Sequence, residues 1–399
     1  MKKKILVLGC TGSIGTSTLD IIRAFPGCFE VCGLSAHTNQ QKLNDLASEF
    51  GCTNTVLTGT ATEEDGTSQV RHDLSAATLS NEKITRLIEK SGADIAVNGI
   101  AGAAGLMPSV LCLKNGIDLA LANKETIVMA ASLIRRLAEK NGRKIIPVDS
   151  EHSALFALIE RFGKERVNTL ILTASGGPFR TLPREKLNGV KPEDALKHPT
   201  WNMGQKISID SATLANKGLE VIEACRLFDM PPEKVKVTVH PQSLVHSLIE
   251  TIDGDLYAQI SEPDMRRPIV SALTYPDMTE NNLKKLDLCS AIGNPDGVTM
   301  SFFPARFDDF PLLGAAYEAQ KKGGSYTIAY NAANEIAVAL FLQKKIGFTQ
   351  IADTVSSVLE KDWTAEARNF DEIFEIDEKA RRVAEEVRLY AENTAQGSI

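Results

Sequence analysis

No Cys-x-x-Cys pair occurs in this chain. Its seven cysteines, Cys10, Cys28, Cys32, Cys52, Cys112, Cys225 and Cys289, are an odd and scattered set, which argues against a zinc knuckle or a disulfide framework and fits reduced thiols in a cytoplasmic compartment. No run of basic residues with interleaved aromatics is present, and the net charge is -7, so a nucleic-acid partner is not expected. No apolar stretch approaches the ~20 residues of a membrane span, so no membrane partner is expected either. Met1 and Lys2 to Lys4 followed by Ile5, Leu6, Val7, Leu8, Gly9 and Cys10 imitate a lipoprotein-type leader. That apolar run is shorter than the roughly 7–15 residues an export segment needs, and it makes a better buried first strand. Internal repeats are missing, and the polar patch at 58–68 reads as a surface loop. What remains is 399 residues, 43% hydrophobic and 24% charged, an ordinary globular composition with length for about two or three domains.

The apolar run at 5–8 enters Gly9-Cys10-Thr11-Gly12-Ser13-Ile14-Gly15. A helical pattern through Leu19, Ile22 and Phe25 follows, then a second strand over 29–34, which together predict a βαβ unit. Further strands are expected at 55–57, 95–98, 119–122 and 144–148, with helical patterns between most of them. The fold class predicted is α/β, with an N-terminal Rossmann-like doubly wound parallel sheet over 1–149. From Ser150 strands are expected at 169–173, 234–239, 244–252 and 256–261, with one helix near 214–229 and a hairpin turn at Asp253-Gly254, predicting a central α+β domain over 150–275. Pro263, Pro268 and Pro276 and the polar stretch 279–285 suggest a long connection, with a linker over 276–310. Periodic stretches around 312–322, 327–345, 348–362 and 370–393 predict a C-terminal helical bundle over 311–399.

The spacing G-x-x-G-x-x-G between a strand and a helix is a phosphate turn, where glycines admit a pyrophosphate and a helix N-terminus supplies N–H groups. The second strand ends Gly33-Leu34-Ser35-Ala36-His37-Thr38-Asn39, without the acid that usually meets the ribose hydroxyls of NAD. A carboxylate there would repel a 2'-phosphate, so NADPH is favoured over NADH. Asn98-Gly99 and Asn123-Lys124-Glu125 follow later strands, where ligands bind in open parallel sheets; the plain alternative for the second group is a helix N-cap with an acidic first turn.

Asp149-Ser150-Glu151 closes the apolar run at 145–148. In an extended strand end, alternate side chains share a face, so both carboxylates could aim at one hard cation, with Glu220 as a third oxygen donor. Alone, such a pair is more often solvated surface or a helix cap. Ser175-Gly176-Gly177 suits a phosphate through a hydroxyl and backbone N–H groups, although a bulge or tight turn would read the same. The segment His198-Pro199-Thr200-Trp201-Asn202-Met203-Gly204 has no clear period and could be a lid, or a loop pinned to the core by Trp201. Within ten residues, Ser211 to Glu220 supply a hydroxyl, an amide, a cation and a carboxylate.

With these motifs the chain resembles the 1-deoxy-D-xylulose 5-phosphate reductoisomerase family along nearly its whole length, through 9–15, 123–125, 148–152, 174–180, 198–204, 210–220, 240–246 and 262–268. The resemblance implies that Asp149, Glu151 and Glu220 bind Mg²⁺ or Mn²⁺. It implies that Ser175, Ser211, Asn216 and Lys217 hold a small phosphorylated sugar, that Lys124, Ser150 and His198 line the pocket, and that Trp201 covers it. Thr11, Gly12, Ser13, Ile14, Asn39, Asn123, Glu125 and Gly204 would contact NADPH. His37 and Thr38 are a departure, standing where many relatives have a glycine and a basic residue. A homodimer built on strands around 235–260 is also implied, while His240 and His246 read as core or interface histidines.

The implied reaction is a carbon–carbon cleavage and rejoining with the metal as Lewis acid, followed by hydride transfer. Glu151, Lys217 and His198 are the candidate catalytic side chains, with the group that moves the proton left open. Two rivals share the first domain: a metal-free NADP dehydrogenase, and a non-enzymatic dinucleotide sensor.

Overall fold

The computed structural model describes residues 2–59, 74–197, 200–201, 203–289 and 297–396. The chain divides into two units: Met1–Thr126, Ile134–Ser153 and Asp264–Leu283 make the first; Ile127–Leu133, Ala154–Pro263 and Lys284–Ile399 make the second.

In the first unit, strands β1 (Lys3–Leu8), β2 (Phe29–Ala36), β3 (Thr55–Leu57), β4 (Ile95–Asn98), β5 (Asp118–Leu121) and β6 (Ile145–Pro147) form one sheet in the order β3-β2-β1-β4-β5-β6. All its pairings are parallel. Ile5, Leu6, Val7 and Leu8 are wholly buried, as an uninterrupted apolar run should be in a sheet covered on both faces. The helices are α1 (Ser13–Ala24), α2 (Gln40–Phe50), α3 (Leu74–Ser91), α4 (Leu106–Lys114) and α5 (Lys124–Lys140), the last broken at Ala130. Strand order reverses beside β1, between β2 and β4, so the carboxyl ends there flank the crevice in which this architecture binds ligands.

The second unit takes most of α6 (Ser150–Phe162), then β7 (Val167–Ala174), α7 (Pro192–Ala195), α8 (Gln205–Ala212), α9 (Ala215–Leu227), β8 (Val235–Val239), β9 (Val245–Thr251) and β10 (Leu256–Ile260). Helix α10 (Arg266–Thr274) counts with the first unit, where it packs against α1. Strand β11 (Phe303–Pro304) and helices α11 (Pro311–Lys322), α12 (Tyr326–Leu342), α13 (Phe348–Leu359) and α14 (Phe370–Gln396) return to the second unit. Its sheet runs β10-β9-β7-β8-β11, with β7 and β8 parallel and the other pairs antiparallel. Gly254 takes φ +91° in the β9–β10 turn, as expected of the Asp253-Gly254 hairpin.

The structure differs from the expectations or adds to them in three places. The proline-rich stretch after Pro263 is not simply a connection, because α10 forms there with Pro268 in its first turn, where a missing N–H costs little. Helix α8 was not anticipated; it is short, and its sequence Gln205-Lys206-Ile207-Ser208 has little period. The C-terminal helices form as expected and share a core with the second sheet: Leu170 and Leu172 of β7, Leu219 and Ile222 of α9, and Tyr330 and Phe341 of α12 belong to one apolar cluster. Helix α12 is buried almost all round, as suits a helix apolar on every face. The observed units therefore cut across the expected boundaries at 149, 275 and 310. Among the described residues no helix is long and apolar enough to cross a membrane.

Candidate active site

The phosphate turn is built as its glycines require. Gly9 takes φ +81°, and a Cβ on Gly15 would lie 2.3 Å from the Gly9 carbonyl oxygen, so α1 approaches the turn as closely as it does only without a side chain there. Gly12 caps α1 without a side-chain hydrogen bond. Ser13 and Ile14 therefore begin the helix with first-turn N–H groups of the kind that bind phosphate. The Gly9 amide donates to Ser35 Oγ at 3.1 Å. The Cys10 thiol is buried, which pushes its pKa up to about 11 and marks it as an inert neighbour.

At the end of β2, His37 Nδ1 lies 3.1 Å from Thr58 Oγ1. Asn39 caps α2 through its carboxamide oxygen, which accepts from the Lys42 amide at 2.9 Å. Lys42 Nζ reaches back to donate to the Thr11 carbonyl at 3.0 Å and to Thr16 Oγ1 at 3.3 Å.

Asn123 is the N-cap of α5: its oxygen accepts from the Thr126 amide and its Nδ2 donates to Gly102 O and to Glu125 Oε2 at 2.9 and 2.8 Å. The plain helix-cap reading of Asn123 and Glu125 thus holds as geometry. Lys124 points elsewhere, donating to Asp149 Oδ2 at 2.9 Å.

The extended reading of Asp149-Ser150-Glu151 is wrong. Ser150 and Glu151 lie in the first turn of α6, and Asp149 Oδ1 accepts from the amides of Glu151 and His152 at 3.1 and 3.4 Å. Asp is a strong helix-capping acceptor, and a Ser-Glu first turn suits the positive end of the helix dipole. The period-2 argument for pointing two carboxylates one way therefore fails, since a helix turns about 100° per residue. Ser150 Oγ donates to Glu151 Oε2 at 2.5 Å. His152, which carried no role in the sequence reading, is fully buried with Nδ1 3.2 Å from Asp149 Oδ1. Its signal was available: a residue three places into the helix faces the capping side chain.

The remaining candidates sit in the second unit. Gly176 and Gly177 both have positive φ, +85° and +69°, and the Gly177 amide donates to Ser175 Oγ at 3.3 Å. A Cβ on Gly177 would lie 2.6 Å from the Ser211 carbonyl oxygen, so the glycine turn packs against the end of α8 as closely as it does only without a side chain there. Leu214, at φ +59°, separates α8 from α9. Along α9, Asn216 Nδ2 donates to Glu220 Oε1 at 2.5 Å and Lys217 Nζ to Glu220 Oε2, the i, i+4 and i, i+3 neighbours of one helix face. The side chains of Lys217 and Glu220 are 4% and 1% exposed, so each charge depends on the other.

The sequence reading also missed Asp210, a buried carboxylate paired with Lys206 at 2.9 Å and accepting from Asn334 Nδ2 at 2.8 Å, which fastens α8 to α12. Trp201 is half-buried and Gly204 caps α8, whereas His198 and Asn202 lie outside the described residues. His240 and His246 bond to Ser301 O and Ser261 Oγ at 3.0 Å each, as structural histidines do, and burial lowers the His240 pKa.

By donor type, the Asp149 and Glu220 carboxylates each suit a hard divalent cation. Asp149 and Glu220 each already hold a cationic group, and carboxylate oxygens fixed by ammonium, amide and N–H donors are the ligands that Mg²⁺ and Mn²⁺ prefer.

Comparison with known proteins agrees with this chemistry. The family model for 1-deoxy-D-xylulose 5-phosphate reductoisomerase matches residues 5–131, and models of its C-terminal domains match 145–228 and 260–383. The reductoisomerases of Treponema denticola and Treponema pallidum are 51% and 46% identical to the chain, each match covering 96% of both proteins. The solved Zymomonas mobilis reductoisomerase in complex with NADPH is similar with a TM-score of 0.84 at 38% identity, over 97% of this chain and 99% of that one. A reductoisomerase solved with NADPH, fosmidomycin and magnesium gives 0.85 at 35%, over 98% and 99%.

Proposed function

The chain belongs to the 1-deoxy-D-xylulose 5-phosphate reductoisomerase family, and from that premise we propose which of its residues carry each part of the reaction. The activity is the NADPH-dependent rearrangement and reduction of 1-deoxy-D-xylulose 5-phosphate to 2-C-methyl-D-erythritol 4-phosphate with a divalent metal. The rival dehydrogenase and sensor readings have no observation in their favour.

Asp149, Glu151 and Glu220 are the proposed metal ligands, and the observation that carries this is the buried Lys217–Glu220–Asn216 cluster, charged chemistry that packing alone does not require. When bound, Mg²⁺ or Mn²⁺ supplies Lewis-acid polarisation of adjacent ketose oxygens. Lys124 and the first amides of α6 fix the Asp149 carboxylate, while Asn216 and Lys217 fix that of Glu220, so neither has to reorganise on loading. Ser175, at the Gly176-Gly177 turn, and Ser211, whose backbone lies against Gly177, offer hydroxyls to the substrate phosphate with Asn216 and Lys217. Lys124, Ser150, His198 and Trp201 line and cover the substrate. Glu151, Lys217 and His198 are the groups proposed to hold or move protons; Ser150 Oγ already donates to Glu151 Oε2, a contact through which a proton can pass.

NADPH, which supplies the hydride, is assigned to Thr11, Gly12, Ser13 and Ile14 at the α1 N-terminus, to His37, Thr38 and Asn39 after β2, and to Asn123, Glu125 and Gly204. Residues 1–149 are assigned to cofactor binding, 150–275 to catalysis and dimerisation, and 311–399 to the helical part joined by 276–310. A homodimer is supported by the exposed Ile252, Leu256 and Ile260 on and beside edge strand β10. A cytoplasmic location is supported by seven free thiols.

The test is nicotinamide absorbance with deoxyxylulose phosphate, with and without Mg²⁺. Oxidation of NADPH that needs both the sugar phosphate and the metal is expected; oxidation indifferent to a chelator would overturn the metal assignment.

A further inference from the structure

In this architecture the glycine turn meets the pyrophosphate, and the residues just after the second strand meet the ribose 2' position. Those residues here are Ala36, His37, Thr38 and Asn39, none of which carries a permanent charge. From Phe29 to Phe50, through the whole of β2 and α2, the sole lysine or arginine is Lys42.

Its placement is specific. Asn39 caps α2 by accepting from the Lys42 amide, which fixes the lysine in the first turn of the helix that follows β2. From there the side chain runs back toward the glycine turn, and its ammonium donates to the Thr11 carbonyl at 3.0 Å and to Thr16 Oγ1 at 3.3 Å. Thr16 is held in turn, its hydroxyl donating to the Gly12 carbonyl at 2.8 Å. A lysine ammonium has three donors, and two are spent on neutral oxygens of the turn. Among the described residues Lys42 pairs with no carboxylate, its ammonium being held by the two oxygens Thr11 O and Thr16 Oγ1. The side chain is half-buried, where a charge acts on an anion with less screening than at the open surface.

We propose that Lys42 is the specificity-determining residue for the cofactor's 2'-phosphate, supplying the positive charge that the loop after β2 does not. It deepens the NADPH assignment and rests on it. The alternative role for a lysine in this position is contact with the pyrophosphate, which NADPH and NADH share; the 2'-phosphate is what only NADPH carries. The missing acid after β2 lets the 2'-phosphate in, and Lys42 rewards it.

The test is equilibrium binding, read from nicotinamide fluorescence and independent of turnover, of NADPH and of NADH to the wild-type protein, Lys42→Met and Lys42→Arg. The wild type is expected to prefer NADPH. Lys42→Met should weaken NADPH binding by roughly tenfold to a hundredfold, the size of one charge-assisted contact, with NADH binding unchanged. Lys42→Arg should keep most of the preference. Weakening of both cofactors equally would place Lys42 on the pyrophosphate and overturn the proposal, as would a Lys42→Met variant that keeps the wild-type preference. A wild-type protein without preference for NADPH would overturn the cofactor assignment itself, so the two failures are distinguishable.

Discussion

Lys124 Nζ donates to Asp149 Oδ2 at 2.9 Å, with 7% of the lysine side chain and 14% of the aspartate exposed. The pair joins the start of α5 to the cap of α6. Removing one member of such a pair leaves an uncompensated charge, at a cost of ~3–5 kcal/mol where nothing else holds the survivor. Asp149 also accepts from two amides and faces His152, so the loss on Lys124→Met should be nearer ~2 kcal/mol in a chelator. A divalent ion on Asp149 would replace the missing charge. Urea unfolding of the variant should therefore show at least half of the loss recovered in excess Mg²⁺, and an equal loss with and without Mg²⁺ would remove Asp149 from the ligand set.

Glu220→Gln keeps an acceptor for Asn216 but takes the negative charge from Lys217. Metal-dependent turnover should fall by at least ~100-fold, the upper range for disturbing a metal site's supporting shell. NADPH binding should be unchanged, because the assigned cofactor groups lie elsewhere in the chain. Full activity at ordinary Mg²⁺ would refute the ligand role.

Gly12 and Gly15 look alike in the motif and differ in space. A Cβ on Gly12 would meet its nearest atom at 3.5 Å, an ordinary contact, whereas on Gly15 it would lie 2.3 Å from the Gly9 carbonyl oxygen. Gly15→Ala should cost ~1–3 kcal/mol by overpacking and abolish NADPH binding. Gly12→Ala should unfold within ~0.5 kcal/mol of wild type. Equal stability for the two variants, in the same denaturant titration, would contradict this reading of the turn.

The sequence made β1, the glycine turn and β2 legible because buried parallel strands are continuous apolar runs and the turn has fixed glycine spacing. The Asp253-Gly254 hairpin was legible for a similar local reason. Asp149-Ser150-Glu151 was misread because residues that end a strand and residues that cap a helix draw on the same polar set, and only the backbone decides between periods of 2 and 3.6. Helix α10 was hidden by prolines that read as breakers, although Pro268 falls in the first turn. The contacts of Lys42 with Thr11 and of Asp210 with Asn334 could not be found by spacing: the partners are 31 and 124 residues away.

Glu335 gives the chain a pH dependence that can be separated from the active site. Burial alone would raise its pKa, but the charges of Arg381 and Lys206 and hydrogen bonds from Arg381 and Asn331 lower it below the ordinary value. Arg381 donates to Glu335 Oε2 and to Asp377 Oδ2 at 2.6 Å each. Since the folded pKa lies below the unfolded one, the unfolded chain takes up the proton first as pH falls. The stabilisation is thus fully present well above ~4.3, the unfolded value, and is lost as pH falls through the folded pKa. Glu335→Gln should lower stability near neutral pH by ~2 kcal/mol, less than the full cost of a broken buried pair because Asp377 still neutralises Arg381. The gap between wild type and variant should then narrow in acid, as the wild-type carboxylate becomes protonated in both states. Urea unfolding across the acid limb measures that gap directly, and a gap independent of pH would show that Glu335 stabilises by packing and not by charge.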